Sequence, residues 1–391
     1  MSNSRKPLKL MISQRFLTSY REDAFYELSK EEGIELLVVF GDRKGKQYKR
    51  FSSTAKEPRF SYKKLWTASL VFAGFGHVNQ IFFSPGIIWQ LLRYRPSVVL
   101  TEGTSNILNN LLICPYCKMS GTPYVWWDLG IPRGQKSVNR FRKLLYPLIR
   151  FFFLRADRIL GYSRFAKQYF VDQGYPPEKI IPAGNTVRVE KHLERYDDCL
   201  SRKSDLKEEL GINSHFVFIA VGAIERAKNY HMLVKAFLEL QKTHDHIALV
   251  FVGDGADLPE LKKQAAGVEQ IIFTGAHYDD VGDYFVLGDV YVLPGIGGLG
   301  INEAMAYALP VISTPADGTE LELVKNGETG FLAEPDSLES LLQHMSWCLE
   351  NQESVREMGS NAQNLIANNY TLMHMIKNIR RAVEEAANGE Q

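Results

Sequence analysis

Nowhere in this 391-residue chain does an apolar run approach the ~18 residues that a membrane-spanning helix needs. The amino terminus, MSNSRKPLKLMISQ, lacks the long apolar segment of a secretory signal. Both absences give the expectation of a cytoplasmic protein. Cysteine is scarce, with four residues in all. Cys199 and Cys348 are isolated and expected to be inert, whereas Cys114 and Cys117 spell CPYC, a dithiol redox motif by spacing. A redox pair usually sits at an exposed helix start, where a thiolate is stabilised. Here NILNNLLICPYCKMSG reads as helix well before Cys114, so the pair is read as structural, with redox chemistry as the alternative. Histidines are scattered, and no DxD pair of carboxylates stands at a strand end near the glycine turn discussed below, so no metal site is expected. Short repeats and low-complexity segments are also lacking. What remains, 45% hydrophobic and 23% charged residues, is the composition of an ordinary globular protein.

The formal net charge of +1 conceals an asymmetry. Residues 1–190 hold 30 Lys and Arg against 14 Asp and Glu, a balance of +16, and residues 191–391 hold 16 against 31, a balance of −15. The basic half either faces something anionic, such as a membrane surface or an acidic acceptor, or serves to draw the two halves together. Its charges cluster with aromatics. KSVNRFRKLLYPLIRFFFLRADR combines Arg140, Arg142, Lys143, Arg150, Arg155 and Arg158 with Phe151, Phe152 and Phe153, and RFSYKKLWTASLVFAGFG sets Lys63, Lys64 and Trp66 beside an apolar run. Such segments suit an anionic membrane interface. The alternative is a helix that buries FFFL against a sheet and turns its arginines to water.

Two series of alternating strands and helices run along the chain. The first contains LKLMIS, IELLVVFG, SVVLTEG, TPYVWWD, ADRILGYS and KIIPAGN, and the second FVFIAVG, IALVFVG, QIIFTG, VYVLP and PVIST. Alternation with short connections indicates α/β architecture, two doubly wound Rossmann-like domains with mostly parallel sheets. Between the series, residues 190–212 lose the rhythm and become charged, which marks a hinge and sets domains at 1–190 and 191–391. The last helix, about residues 370–386, is expected to pack back on the first domain. Two such domains place a ligand cleft at their facing C-terminal strand ends.

The segment PGIGGLGINEAMAYALPVI, from Pro294 to Ile312, packs four glycines and one acid, Glu303, between two apolar runs. Glycines at a strand-to-helix turn let backbone amides face outward, and the following helix start suits a phosphate. The plainer reading is a tight turn followed by an ordinary first-turn acid. GIGGLG also matches the dinucleotide fingerprint GxGxxG, which raises a nicotinamide-dependent oxidoreductase as a further reading. That fingerprint follows the first strand of its sheet and opens a full crossover helix. Here the turn follows the fourth strand, and Pro310 cuts the helix to about two turns.

Taken together, EAMAYALPVI, VGDGADLPELK, FTGAHYDDV, GDVYVLP and VKNGETGFLAEP occur in the order and spacing of glycosyltransferase family 4, and ADRILGYSRFAKQYFVDQGYPPEKIIPAGNTV resembles the family's segment before the hinge. The resemblance spans about residues 95–340 well and the first ninety loosely. It implies the two-domain GT-B fold, a nucleoside diphosphate sugar as donor, a glycan or lipid-linked acceptor, transfer with retention of configuration, and a role in surface polysaccharide or lipopolysaccharide biosynthesis. Neither cofactor nor nucleic-acid partner is implied. Glu303 falls on the family's second Glu, which holds the donor ribose. Gly297, Gly298 and Leu299 would approach the diphosphate and donor sugar through their backbone, and Gly275 and His277 of FTGAHYDDV fall in the donor site. Lys228, six residues after the strand-ending Gly222, falls on the phosphate-binding Lys. Three departures accompany the match. The family's first Glu is Gly295, and the Arg beside Gly222 is Ala223, for which Arg226 is the substitute on the same loop. The first-domain His has no counterpart, leaving Asp128 as the polar candidate for orienting the acceptor or acting as base, or else as a structural strand-end acid. The SQRFLTSYRED loop lacks the usual glycines, so Arg15 or Arg21 becomes a candidate for anionic groups. The alternative to an active enzyme is a catalytically weak homologue that binds a nucleotide sugar or a partner protein.

Overall fold

The computed structural model describes residues 6–42, 57–74, 77–130, 140–316 and 318–389, without the side chains of 70–80 and 140–143. The side chains of Arg140, Arg142 and Lys143 thus lie outside the described residues. The chain divides into one unit ending at Gly184 and completed by Met373–Gln391, and a second formed by Asn185–Leu372.

In the first unit, strands β1 (Leu8–Gln14), β2 (Ile34–Gly41) and β3 (Tyr62–Leu65) join β6 (Val98–Glu102), β7 (Tyr124–Asp128), β8 (Arg158–Gly161) and β9 (Ile180–Pro182). They form one sheet in the order β3-β2-β1-β6-β7-β8-β9, with every pair parallel. Central strands such as VVLTE and YVWWD are apolar because helices cover both faces of the sheet. The segment containing Lys63, Lys64 and Trp66 begins as the edge strand β3, with Leu65 buried and both lysines exposed. It continues into an antiparallel hairpin, β4 (Ala68–Gly74) with β5 (His77–Phe83), that the sequence reading did not separate from its apolar run. In the helix Arg140–Phe153, Phe152 and Phe153 join the core, whereas Phe151 is 49% exposed with the Arg155 guanidinium 3.7 Å from its ring centroid. The core reading of FFFL therefore holds for Phe152 and Phe153. The C-terminal helix Leu372–Asn388 packs within this unit through Arg380 Nη1 to Glu31 Oε2 (2.6 Å) and Arg158 Nε to Glu385 Oε2 (3.1 Å).

Cys114 and Cys117 lie in the helix Ile107–Ser120, both buried and both free thiols. Burial pushes the Cys114 thiol up to about 12 and raises Cys117 further, the opposite of an activated thiolate. Cys114→Ser and Cys117→Ser are each expected to cost about 1–3 kcal/mol of stability, since a hydroxyl is harder to bury than a thiol. The activity of the folded variants should be unchanged in steady-state assays. A large rate loss without unfolding would restore the redox reading.

The second unit holds β10 (Phe216–Val221), β11 (Ile247–Val252), β12 (Ile271–Gly275), β13 (Val290–Leu293), β14 (Val311–Ser313) and β15 (Gly330–Leu332). Their order is β12-β11-β10-β13-β14-β15, and all pairs are parallel. Every residue of FVFIAV and IALVFV is buried, as expected for central strands with helices on both sides. The charged stretch read as a hinge is regular instead. It forms helices Val189–Ser201 and Lys203–Glu209 within the second unit, with Val189 and Cys199 on the buried face. The unit boundary accordingly falls at Gly184, six residues before 190.

Candidate donor site in the second unit

Two loops at the C-terminal ends of adjacent strands build the site. After β10 the chain passes Gly222, makes a 3₁₀ turn at Arg226–Lys228, and enters the helix Tyr230–Leu240 through Asn229 in the left-handed region. After β13 the glycine turn leads into the helix Leu299–Ala306. The loops are joined by a backbone hydrogen bond from Ile296 N to the Ala227 carbonyl, 2.8 Å. Their approach explains two glycines. A Cβ at Gly297, where φ is +149°, would overlap Lys228 Nζ, so the ammonium occupies the volume of a missing side chain. A Cβ at Gly295 would overlap the Ala227 carbonyl oxygen and lie 2.5 Å from the Lys228 carbonyl carbon. Gly295 is thus packed against the lysine loop and admits no side chain without shifting that loop.

Glu303, two residues before Met305 on this short helix, keeps 30% of its side chain exposed. Desolvation pushes its carboxyl up to about 7, with Lys228 acting in the opposite direction. Its Oε1 lies 3.7 Å from Nε2 of His192 on the helix Val189–Ser201, a neighbour that sequence reading missed. Lys228 is half-buried beside the turn, and Arg226 is exposed on the same 3₁₀ turn. Leu299 opens the helix and Gly298 is its N-cap. At the end of β12, Gly275 has φ +87° with open space where a Cβ would lie. His277 places Nδ1 2.9 Å from Asp280 Oδ2 and packs on Tyr284 with ring centroids 3.9 Å apart and planes tilted by 34°. Arg195 Nη1 donates to the Asp279 carbonyl, 2.6 Å, tying the helix of His192 to the loop of His277.

The candidates of the first unit have other partners. Asp128 is buried, and its two carboxylate oxygens accept from Thr104 N (2.5 Å) and Gly130 N (2.9 Å), which suits the strand-end role that orders two loops. Arg15 is engaged by Glu102, which accepts its backbone N–H at 3.0 Å and lies 3.6 Å from its Nε. Arg21 is 2% exposed, with its guanidinium 4.1 Å from the Trp127 ring centroid and Nη1 3.5 Å from Met375 Sδ. Among the described residues, no group of three or more His, Cys, Asp or Glu is arranged to hold a metal ion.

Residues 202–365 match the family model for glycosyl transferases group 1. The chain is 25% identical over 245 residues to an uncharacterized glycosyltransferase of Methanocaldococcus jannaschii, covering 60% of each. It is 30% identical over 194 residues to alpha-monoglucosyldiacylglycerol synthase of Acholeplasma laidlawii, covering 47% of each. The chain thus spans about half to three fifths of the length of these curated relatives. Among solved structures, the HepE protein of Anabaena in complex with UDP superposes with a TM-score of 0.71 at 17% identity, over 97% of this chain and 100% of that one. The fold is GT-B. At that identity the likeness is one of architecture, two Rossmann-like α/β units. No helix among the described residues is long and apolar enough to cross a membrane.

Proposed function

We propose that the chain is a glycosyltransferase that moves a hexose-like sugar from a nucleoside diphosphate to a glycan or lipid-linked acceptor, with retention of anomeric configuration. The observation that carries this reading is the pairing of Glu303 and Lys228 around one glycine turn. Glu303 would accept hydrogen bonds from both donor ribose hydroxyls, which a carboxylate can do at once. Lys228, with Arg226 and the N-terminus of the helix Leu299–Ala306, would neutralise the diphosphate, and the charge on the leaving group would develop against them. The backbone of Gly295, Gly297, Gly298 and Leu299 would approach the diphosphate and sugar, and Gly275 and His277 would line the base side. In a retaining transfer the leaving phosphate itself takes the acceptor proton, so Asp128 need not act as base.

The second domain would then hold the donor and the first the acceptor. The similarity to an alpha-monoglucosyldiacylglycerol synthase supports a lipid-linked acceptor, and the chain would then serve surface glycan or lipopolysaccharide assembly on the cytoplasmic face of a membrane. Exposed Lys63, Lys64 and Trp66, together with Phe151 and Arg155, support contact with an anionic lipid surface.

Thermal-shift screening against UDP-, GDP-, ADP- and dTDP-glucose, followed by product analysis with anomeric NMR, tests this reading. Stabilisation by one sugar nucleotide and an axial-to-axial transfer are expected. Failure of all four to bind, with nicotinamide dinucleotides binding instead, would overturn it. The occluded position at Gly295 favours one second reading, a homologue that binds donor without turnover. Binding without product would select it. Because the diphosphate is assigned to Lys228 and a helix dipole, transfer is expected to persist in excess EDTA, with at most modest stimulation by Mg²⁺ or Mn²⁺. Complete loss, restored by a stoichiometric divalent ion, would show that the phosphate site is misassigned.

A further inference from the structure

His192 is far from Glu303 in sequence, yet its imidazole stands against that carboxylate, 3.7 Å from Nε2 to Oε1. The ring is held from behind. Nδ1 lies 3.3 Å from the Tyr307 hydroxyl, and the two rings meet edge to face with centroids 5.5 Å apart. Tyr307 is itself buried and stacks on Phe285, with centroids 5.4 Å apart and planes within 9°. Thr186 and Asn302 join the segment before His192 to the helix of Glu303 through a 3.3 Å side-chain hydrogen bond. The imidazole therefore has a fixed orientation relative to the acid.

Its protonation follows from its surroundings. Burial, then the charges of Lys191 and Arg195, push His192 down to about 4, so the ring is neutral at physiological pH. The Tyr307 hydroxyl, raised by burial, keeps its proton and can donate it to Nδ1. In the tautomer in which Nδ1 accepts from that hydroxyl, the single ring proton sits on Nε2, toward Glu303. We propose that His192 is a positioning residue of the donor site, donating from Nε2 to Oε1 of Glu303 and leaving the other carboxylate lone pairs for the donor diol. The pair must close by about 0.5–1 Å to reach hydrogen-bond distance, a side-chain adjustment of the kind that occurs when substrate engages a site.

The consequence is electrostatic as well as geometric. Desolvation favours a protonated Glu303, and a protonated carboxyl loses acceptor capacity toward two hydroxyls. The groups that face it are Lys228 from the loop after β10, Tyr291 from β13, Tyr307 from its own helix end and His192. Lys228 and a donating His192 favour the anion. This inference rests on the assignment of Glu303 to the donor.

The test measures sugar-nucleotide affinity by calorimetry at pH 6.5 and 8.5 for wild type, His192→Leu, His192→Gln and Glu303→Ala. The probe is whichever of UDP-, GDP-, ADP- or dTDP-glucose gives the largest thermal shift with the wild-type protein. Without the donor, Glu303 should titrate at a higher pH. His192→Leu is therefore expected to weaken binding roughly tenfold or more at pH 6.5, as for a lost hydrogen bond to a charged group, and distinctly less at pH 8.5. His192→Gln, which retains an N–H donor, should restore most of the affinity at both pH values. Equal losses in the Leu and Gln variants at both pH values, or wild-type affinity in both, would overturn the proposal. If Glu303→Ala binds normally, the donor-site reading fails. If only that variant loses binding, the reading stands and the role of His192 is rejected. A variant that fails to fold is recognised by its melting curve, and the Gln variant then carries the comparison.

Discussion

Glu303→Ala is expected to abolish measurable binding of the nucleoside diphosphate sugar while leaving the fold intact. The carboxylate is assigned two hydrogen bonds to the ribose, and charge-assisted bonds of this kind contribute about 1.5–3 kcal/mol each. Their joint loss corresponds to roughly two to four orders of magnitude in affinity. Stability should move the other way. The carboxyl is pushed up to about 7 from an ordinary value near 4.5, so the folded state holds a proton that the unfolded state has released between those values. Stability therefore falls as pH rises through that window, and above pH 7 the ionised, poorly solvated carboxylate is a net burden on the fold. Alanine removes the burden, and the variant should melt no lower than wild type at pH 8. Donor affinity in the wild type should decline as pH falls below about 7, because the proton competes with the ribose hydroxyls. A sugar nucleotide is the right ligand for that measurement, since its diphosphate diester does not itself titrate there. Equal affinities of wild type and Glu303→Ala would remove Glu303 from the site, and a lower melting temperature at pH 8 would show that the acid serves the helix.

A carboxylate that opposes stability is visible in sequence only as an acid among apolar residues. The glycine turn and the short helix before Pro310 could be read from composition, and so could the central strands, because FVFIAV and IALVFV are buried on both faces. Assignment of Glu303 to a ribose and Lys228 to a diphosphate came from resemblance, which no periodicity supplies. The contacts that give those residues their setting were illegible. Gly297 makes room for the Lys228 ammonium and Gly295 abuts its carbonyl, both through a loop about seventy residues earlier in the chain. His192 was hidden for the same reason, and its charged neighbours made the stretch resemble a linker. The helix Val189–Ser201 is amphipathic, with its charges outward and Val189 and Cys199 buried, so charge density marked an exposed face and not a break in structure. The β4–β5 hairpin was lost in a stretch whose apolar residues run together without the period of two that marks a strand exposed on one face.

Lys228→Ala is expected to lower turnover by about two to three orders of magnitude, with little effect on stability. The ammonium fills the space left by Gly297 at the start of an eight-residue helix, where a cation and the helix dipole act on the same ligand atoms. As the glycosidic bond breaks, charge accumulates on the departing diphosphate, and a preorganised cation interacts more strongly with that state than with the bound donor. Removing one such group typically costs about 2–4 kcal/mol of transition-state stabilisation. The loss should therefore appear mainly in kcat, with a smaller change in KM, because the donor's ribose contacts to Glu303 remain. Arg226 lies two residues away on the same turn but is exposed, whereas Gly297 is packed against Lys228. Arg226→Ala should accordingly have the smaller effect. Lysine-to-arginine replacement is no rescue, because the volume over Gly297 fits an ammonium and a guanidinium would press on the turn. Unchanged kinetics in Lys228→Ala, together with a severe loss in Arg226→Ala, would transfer the phosphate role to Arg226 and leave Lys228 as a packing residue of the glycine turn.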